Sequence, residues 1–523
     1  MHSVIARCPS WALFLFTFFA GAAYVLAFAP VGCWPLQLIA LSCLYYLLYH
    51  AGSIRHVMQL TWLFCFAWLF FGVIWLTVTM FRYGDMPVWL SFFCVALFAA
   101  ALACLPALMM GLAARIKQRY QPAPWISCLV LFPALWSLAE WTRGWIFTGF
   151  PWLVSGYAHN TSPLSGFAPI LGVYGITWLT SIIAGSVVLI LERQRAYVLL
   201  VCGIALAGGG LHFVTWTVPN GAALTVRLLQ GNVDQQIKFE HEHLIDSLQF
   251  YFDAIIKQPA DLIVTPESAL PLPEQALPPG YFDQLQKFAT DTHSDIALGL
   301  FSNDAPDLYA NSMISITPTV QTQPYRYDKH HLVPFGEFIP KGFAWFYHYM
   351  HIPMGDLQRG PLLVSAFPVK DQFVLPNICY EDVFGEEIAA RISYAYFAHK
   401  AVPTILLNMT NIAWFGDSWV MPQHVQITQM RTLETGRPML RSTNTGVTTL
   451  VNAQGQVVSQ LPGFVRGELD VSVQGYQGIT PYIVCGNYLW LGLMTLLALV
   501  ALGLHRFRKR SNGMSAFGTT SQG

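Results

Sequence analysis

The chain has 523 residues, 54% of them hydrophobic and only 11% charged, with 28 basic and 28 acidic side chains and no net charge. Soluble domains carry about 25% charged residues, so this composition, with a mean hydropathy of +0.46, excludes a wholly soluble protein and indicates one that crosses a membrane several times. The neutral balance leaves no electrostatic footprint for nucleic acid.

The first apolar run, 11–29, follows Arg7. It is of spanning length, whereas a secretory signal has a core of about 7–15 residues and a small-residue cleavage site; a retained anchor is expected, with a cleaved signal as the alternative. Further runs lie at 34–50, 57–80, 88–114, 125–141, 166–191 and 196–216, the run at 125–141 being short and ending in Glu140. From Ala222 to Pro481 charged and amide residues become frequent and no run reaches spanning length. A last apolar run, 488–504, precedes His505-Arg506-Phe507-Arg508-Lys509-Arg510. The expected organisation is a polytopic α-helical membrane domain with about seven spans over 1–221 and a soluble domain over 222–481. A further span with its basic flank over 482–510 and a disordered tail over 511–523 complete it, giving about eight spans in all.

Basic residues orient these spans. With a cytoplasmic N-terminus, the cytoplasmic connections hold Arg55, then Arg115, Lys117 and Arg119, then Arg193 and Arg195, then the basic tail, while the opposite short loops hold little beyond Arg82 and Arg143. This positive-inside pattern places 222–481 outside the cytoplasm and both termini within it. Of ten cysteines, nine lie in or beside apolar runs and Cys379 alone lies in the body of the soluble segment. In an oxidising compartment a solitary thiol has no partner in its own domain, which favours a use for it over a filler role.

Within the soluble segment, strand-like stretches at 224–229, 261–264, 296–300, 404–408, 439–442 and 447–451 alternate with helical spacing at 243–256, 281–290 and 423–434, the pattern of an α/β layered domain. Three polar groups fall at strand ends. Glu267 follows Leu262-Ile263-Val264-Thr265-Pro266. Lys329 and Glu337 flank the turn in Tyr327-Asp328-Lys329-His330-His331-Leu332-Val333-Pro334-Phe335-Gly336-Glu337. Cys379 sits between the apolar Phe373-Val374-Leu375 and the helix-like Gly385–Arg391. Taken singly, each also fits a bland role: a helix cap, a solvated loop, a small buried hydrophobe. Together they supply what a cysteine nucleophile needs, namely a base to take its proton and a cation to hold the charge that develops on a carbonyl oxygen.

These stretches carry a resemblance. Pro266-Glu267-Ser268, the Tyr327–Glu337 stretch and Asn377-Ile378-Cys379-Tyr380-Glu381-Asp382, in that order, resemble the nitrilase superfamily. With the spans, the resemblance narrows to the bacterial apolipoprotein N-acyltransferases. Matching stretches include Gly149–Leu153, Leu229–Asn232, Ala413–Ser418, Glu434–Pro438, Thr443–Val447 and Thr480–Tyr482 before Gly486-Asn487, so the match runs in order along nearly the whole chain. The resemblance implies a nitrilase-like α-β-β-α sandwich for the soluble domain. It also implies Glu267 as general base, Cys379 as nucleophile and Lys329 as stabiliser of the tetrahedral intermediate, with Glu337 assisting and Tyr380 and Glu381 shaping the pocket. The implied reaction moves an acyl chain from a phospholipid, typically phosphatidylethanolamine, through a cysteine thioester to the α-amine of the S-diacylglyceryl cysteine of an apolipoprotein, in the bacterial inner membrane and without a cofactor. A monomer is expected. Phe239 and Ile412 depart from the family pattern, which usually has tryptophan and aspartate there.

The aromatic-rich Lys341–Ile352 suits a membrane interface. It nominates Phe343, Trp345 and Phe346 as lipid contacts, and Trp414 and Phe415 join them. Paired histidines at 241 and 243, 330 and 331, and 348 and 351 lack a ligand set of metal-binding spacing, and no metal is expected. Gly208-Gly209-Gly210 lacks the Lys-Ser/Thr of a phosphate loop. Two other readings stay open: a membrane-tethered amidase or nitrilase acting on a small molecule, and a non-catalytic receptor retaining the domain as a binding module.

Overall fold

The computed structural model of the chain describes residues 9–234, 241–305, 308–339 and 356–517. They form two compact units. One comprises the chain up to Gly72, Ala96–Val214 and the residues from Asn487; the other comprises Val73–Val95 and Thr215–Gly486.

The first unit is helical. Among the described residues, five helices are long and apolar enough to cross a membrane: Ser10–Ala27, Ile54–Gly72, Val88–Tyr120, Pro124–Arg143 and Pro163–Leu191. Tyr197–Leu211 and Tyr488–Gly503 are apolar but shorter, and Trp34–His50 has 17 residues, so length and composition support five spans where about eight were expected. The run expected at 57–80 divides. Its helix stops at Gly72, and the separate helix Leu76–Tyr83 belongs to the second unit. Glu140, the anomaly of the short run, is buried and fully engaged: it accepts from Trp136 Nε1 at 2.7 Å, Ser155 N at 2.7 Å and Ser155 Oγ at 2.5 Å. A carboxylate at such depth persists only when it is bonded in this way.

The second unit is built on two sheets. The first contains β1 (Thr217–Gln230), β2 (Leu262–Val264), β3 (Leu270–Pro273), β4 (Asp295–Ala305), β5 (Leu308–Ile316) and β6 (Arg326–Asp328), with β13 (Gly467–Gly478) beyond β1. Its order is β13-β1-β2-β4-β5-β6, β3 pairing with β4. The second contains β7 (Phe367–Val369), β8 (Gln372–Ile378), β9 (Ile405–Thr410), β10 (Met439–Thr443), β11 (Thr449–Val451) and β12 (Val457–Gln460), in the order β12-β11-β10-β9-β8-β7. The middle of each sheet is parallel: β1, β2 and β4 in one, β8, β9 and β10 in the other. Parallel neighbours need crossovers, and helices supply them. His241–Ile256 and Tyr281–Thr292 serve the first sheet, Gly385–Phe397 and Val420–Thr435 the second.

The two-residue strand period sorts the core into three layers. Val226, Leu228, Leu262 and Val264 point between the sheets with Leu407, Met409 and Leu440 of the second sheet. Their strand neighbours Leu229 and Ile263 point outward onto Tyr251, Ile255 and Leu285 of the first pair of helices. Leu375, Leu406 and Met439 face the opposite way, against Ile388 and Ile392. The result is an α-β-β-α sandwich. Each of these aliphatic side chains contributes about 1.5–3 kcal/mol by leaving water.

One close approach positions a site loop. The Thr265–Ser268 turn crosses over Gly299 of β4. A Cβ there would stand 2.1 Å from Pro266 O and 3.0 Å from Ser268 N, and Gly299 N donates to Thr265 Oγ1 at 2.9 Å. Gly299→Ala should push this turn off the sheet. We expect a loss of about 1–3 kcal/mol of stability in thermal unfolding, accompanied by a loss of activity larger than that destabilisation explains.

Candidate active site

Glu267, Lys329 and Cys379 come from three strand ends: the turn after β2, the residue after β6 and the residue after β8. The structure gathers their side chains into one cluster at the carboxyl ends of the parallel strands, the place where α/β folds collect sites. Each of the three stretches includes a non-glycine residue with positive φ: Ser268 at 45°, Phe335 at 64° and Cys379 itself at 55°. Such backbone costs of order 1–3 kcal/mol and persists where its surroundings over-determine it.

Lys329 is 1% exposed. Its Nζ donates to Glu337 Oε1 at 2.8 Å and lies 3.3 Å from Glu267 Oε1. Asn311 of β5 donates from Nδ2 to both carboxylates, at 2.7 Å to Glu267 Oε1 and 2.9 Å to Glu337 Oε1. The second oxygen of each carboxylate takes a backbone N–H: Asn411 N to Glu267 Oε2 at 2.7 Å, Val333 N to Glu337 Oε2 at 2.9 Å. Burial opposes the ammonium charge, but Glu267 and Glu337, with Cys379, outweigh it and hold Lys329 above the usual lysine range. Burial, then the nearby Glu267 charge, pushes the Cys379 thiol up to about 12, against the pull of Lys329 and the Thr410 hydroxyl. The resting sulfur is therefore a thiol, beside a carboxylate able to take its proton and an ammonium able to face a developing oxyanion.

The elbow is pinned from both sides. Glu381 is buried. It accepts from Tyr327 OH at 2.7 Å, His330 N at 2.7 Å, His331 N at 3.1 Å and Ile378 N at 2.6 Å, with Arg391 Nη2 at 3.5 Å, and so ties the Lys329 loop to the Cys379 loop. Asp382, its neighbour, turns the other way and accepts from His424 Nε2 at 2.7 Å, Arg441 Nη1 at 2.9 Å and Thr428 Oγ1 at 3.2 Å. Tyr380 is half-buried, its ring edge-on to Phe384 at 5.3 Å. Asn408 Nδ2 donates to the Cys379 carbonyl at 3.1 Å.

Of the remaining expected residues, Trp414 and Phe415 are half-buried, with their rings packed edge-on against Tyr83 at 5.0 Å and Trp75 at 4.7 Å. Phe343, Trp345 and Phe346 lie outside the described residues, as does Phe239. Ile412 is buried beside Gly446. His330 Nδ1 meets Gly360 O at 2.7 Å, and His331 stacks on Phe384 at 3.5 Å while its Nδ1 meets Glu387 Oε1 at 2.9 Å. Asn311 and Asn411, which hold the two carboxylates, escaped the sequence reading. The hint for Asn311 was an amide in a short strand-like stretch, Ala310-Asn311-Ser312-Met313-Ile314.

Two family models match the chain: one described as the apolipoprotein N-acyltransferase N-terminal domain, over residues 20–186, and one described as carbon-nitrogen hydrolase, over residues 225–476. Proteins named apolipoprotein N-acyltransferase are similar over most of its length. That of Ralstonia nicotianae is 44% identical, covering 93% of this chain and 92% of its own. That of Nitrosomonas europaea is 39% identical, covering 92% and 95%, and that of Haemophilus influenzae 34%, covering 95% and 96%. Among solved structures, an amidase of the nitrilase superfamily from Nesterenkonia AN1 is 17% identical with a TM-score of 0.36, covering 52% of this chain and 95% of its own.

Glu381 gives a pH test of the elbow. Burial disfavours its charge, but Arg391 and the N–H and O–H donors around it prevail and hold it below the usual carboxylate range. Its stabilisation is therefore complete above the unfolded value of about 4.3 and fades as the pH falls through the lower native value. Glu381→Gln should cost about 3 kcal/mol at neutral pH, as expected for breaking a buried pair. In thermal unfolding the gap between variant and parent should narrow below pH ~4.

Proposed function

The chain belongs to the apolipoprotein N-acyltransferase family, and from that premise we propose a two-step acyl transfer centred on Cys379. The observation that carries it is the buried Lys329 held between Glu267 and Glu337 beside a protonated thiol. In the first step Glu267 takes the Sγ proton as the sulfur attacks the ester carbonyl of a phospholipid. The tetrahedral oxyanion forms against the Lys329 ammonium. Collapse breaks the ester C–O bond, the lysophospholipid leaves with the proton from Glu267, and Cys379 carries the acyl chain as a thioester. In the second step the α-amine of an S-diacylglyceryl cysteine gives a proton to Glu267 and attacks the thioester. The amide forms, and the departing sulfur regains its proton. Glu337 keeps Lys329 aimed, while Tyr380 and Glu381 shape the pocket beside the sulfur.

A phosphatidylethanolamine donor, a monomeric enzyme, and a catalytic domain over 222–481 on the periplasmic side of the inner membrane with both termini cytoplasmic complete the reading. The basic-residue pattern supports this orientation. The aromatic side chains Phe343, Trp345 and Phe346 are proposed to contact lipid on sequence grounds. A protease added to intact spheroplasts should cut within 222–481 and spare a tag on either terminus; the reverse protection would invert the topology.

Cys379→Ala should abolish both the thioester and N-acylation of a diacylated lipopeptide, a loss of at least ~10³-fold. Glu267→Gln should block thioester formation. Persistent N-acylation by the Cys379 variant would sink this mechanism. A parent enzyme whose thioester resolves only to water would favour the tethered amidase.

A further inference from the structure

Val73–Val95 follows the spanning-length helix Ile54–Gly72 and runs into the start of the next, Val88–Tyr120, yet it belongs to the compact unit of the two sheets. Its role there is specific. Thr79 Oγ1 donates to the carbonyl of Trp414 at 2.9 Å, and Tyr83 OH donates to the carbonyl of Ala413 at 3.1 Å. The Trp75 ring meets Phe415 edge-on at 4.7 Å, and its Nε1 donates to Gln423 Oε1 at 3.1 Å. At Gly416 the backbone has φ +60°, which favours glycine, and a Cβ would come within 3.2 Å of Val78 Cγ1.

The grip falls on the loop that holds Glu267. The loop's own bonds are long: Ala413 N to Asn411 Oδ1 is 3.3 Å, Phe415 N to Ile412 O 3.2 Å and Gly416 N to Ala413 O 3.3 Å. Those lengths lie at or beyond the long end of N–H···O bonding, so the loop is not stiff by itself. A short bond of 2.7 Å runs from Asn411 N to Glu267 Oε2. Gln423, the other end of the grip, precedes His424, which bonds Asp382 behind the Cys379 elbow. One short helix therefore braces both the loop behind the carboxylate and the helix behind the sulfur.

We infer that Trp75, Thr79 and Tyr83 are positioning residues for catalysis, clamping the 411–416 loop so that Asn411 N–H fixes the carboxylate of Glu267. The inference rests on the reading of Glu267 as general base. It gives the segment between two spans a part in the first chemical step, beyond joining helices.

The test uses the full-length enzyme in detergent–phospholipid micelles, with a phosphatidylethanolamine labelled on its acyl chain. Single-turnover thioester formation is followed at varied lipid concentration. Thr79→Val with Tyr83→Phe removes both donors at little change of shape. The saturating rate constant should fall about 10-fold, as for loss of a charge-assisted hydrogen bond, with the half-saturating lipid concentration changed less than ~2-fold. Thr79→Ser, which keeps a hydroxyl, should restore most of the rate in the Tyr83→Phe background. An unchanged rate constant overturns the inference. So does an effect confined to half-saturation, the behaviour of a mere lipid-contacting strap. A reduced burst amplitude at unchanged rate constant is a folding loss and also counts against it. Glu267→Gln is measured alongside: if that variant forms thioester at the parental rate, the base assignment has failed, whereas an inactive Glu267→Gln with unaffected clamp variants refutes only the clamp.

Discussion

A lysine ammonium removed from water must be surrounded by opposite charge, and the geometry of the site follows from how this is done for Lys329. Two carboxylates meet one cation, and Asn311 bridges the carboxylates with a single amide nitrogen. Burying one ion alone would cost several kcal/mol, so neither Glu267 nor Glu337 is free to move while Lys329 stays in place. The group is also one negative charge in excess. That excess, with burial, keeps the neighbouring thiol protonated at rest. A permanent thiolate would be open to oxidation and would leave the base with nothing to do. In the proposed mechanism the sulfur becomes nucleophilic only as its proton moves to Glu267, with the Lys329 ammonium already placed for the oxyanion.

This arrangement requires rigid surroundings, and four residues of one five-residue stretch supply them. Ile378 closes the inter-sheet core, Cys379 carries the strained backbone, Glu381 reaches the Lys329 loop and Asp382 reaches His424 and Arg441. Four commitments in different directions leave the elbow little freedom. The positive φ at Cys379 costs of order 1–3 kcal/mol, and such strain is retained only where neighbouring bonds outweigh it.

The sequence made the three side chains proposed to react legible because each ends an apolar strand within a recognisable stretch, and because the order of strands and helices implied layers. It did not reveal what holds them. Asn311 lies on β5, an antiparallel strand whose Leu-Tyr-Ala-Asn-Ser-Met composition carries no alternation. β13, which completes the first sheet beside β1, was not among the expected strands, and one side of it stays exposed. Glu381, next to Cys379, was expected to shape the pocket; the sequence did not show its partners, a buried Tyr327, an Arg391 and three backbone N–H groups. The division of the 57–80 run was equally hidden. Its apolar composition continues past Gly72, but the second piece finds its partners 335 residues away in the chain, at Trp414. Local pattern reports burial, and cannot report which distant loop provides it.

The second buried network sharpens the distinction between stability and position. Asp382, His424, Thr428 and Arg441 are all buried, and an apolar cluster of similar volume would hold the sandwich together about as well, since replacing buried ion pairs by packed hydrophobes is often neutral or stabilising. Apolar contacts are not directional, however, and would let the Val420–Thr435 helix slide against the elbow. Hydrogen bonds from His424, Thr428 and Arg441 fix one carboxylate from three donors on two elements. The same logic governs the other buried charges around Cys379: Glu337 fixes Lys329, Glu381 fixes the Lys329 loop, and Asn411 N–H fixes Glu267. Each polar contact has modest worth to folding and large worth to placement, and a transfer reaction needs placement twice over. The base must meet first a thiol and then an amine from one unmoved position.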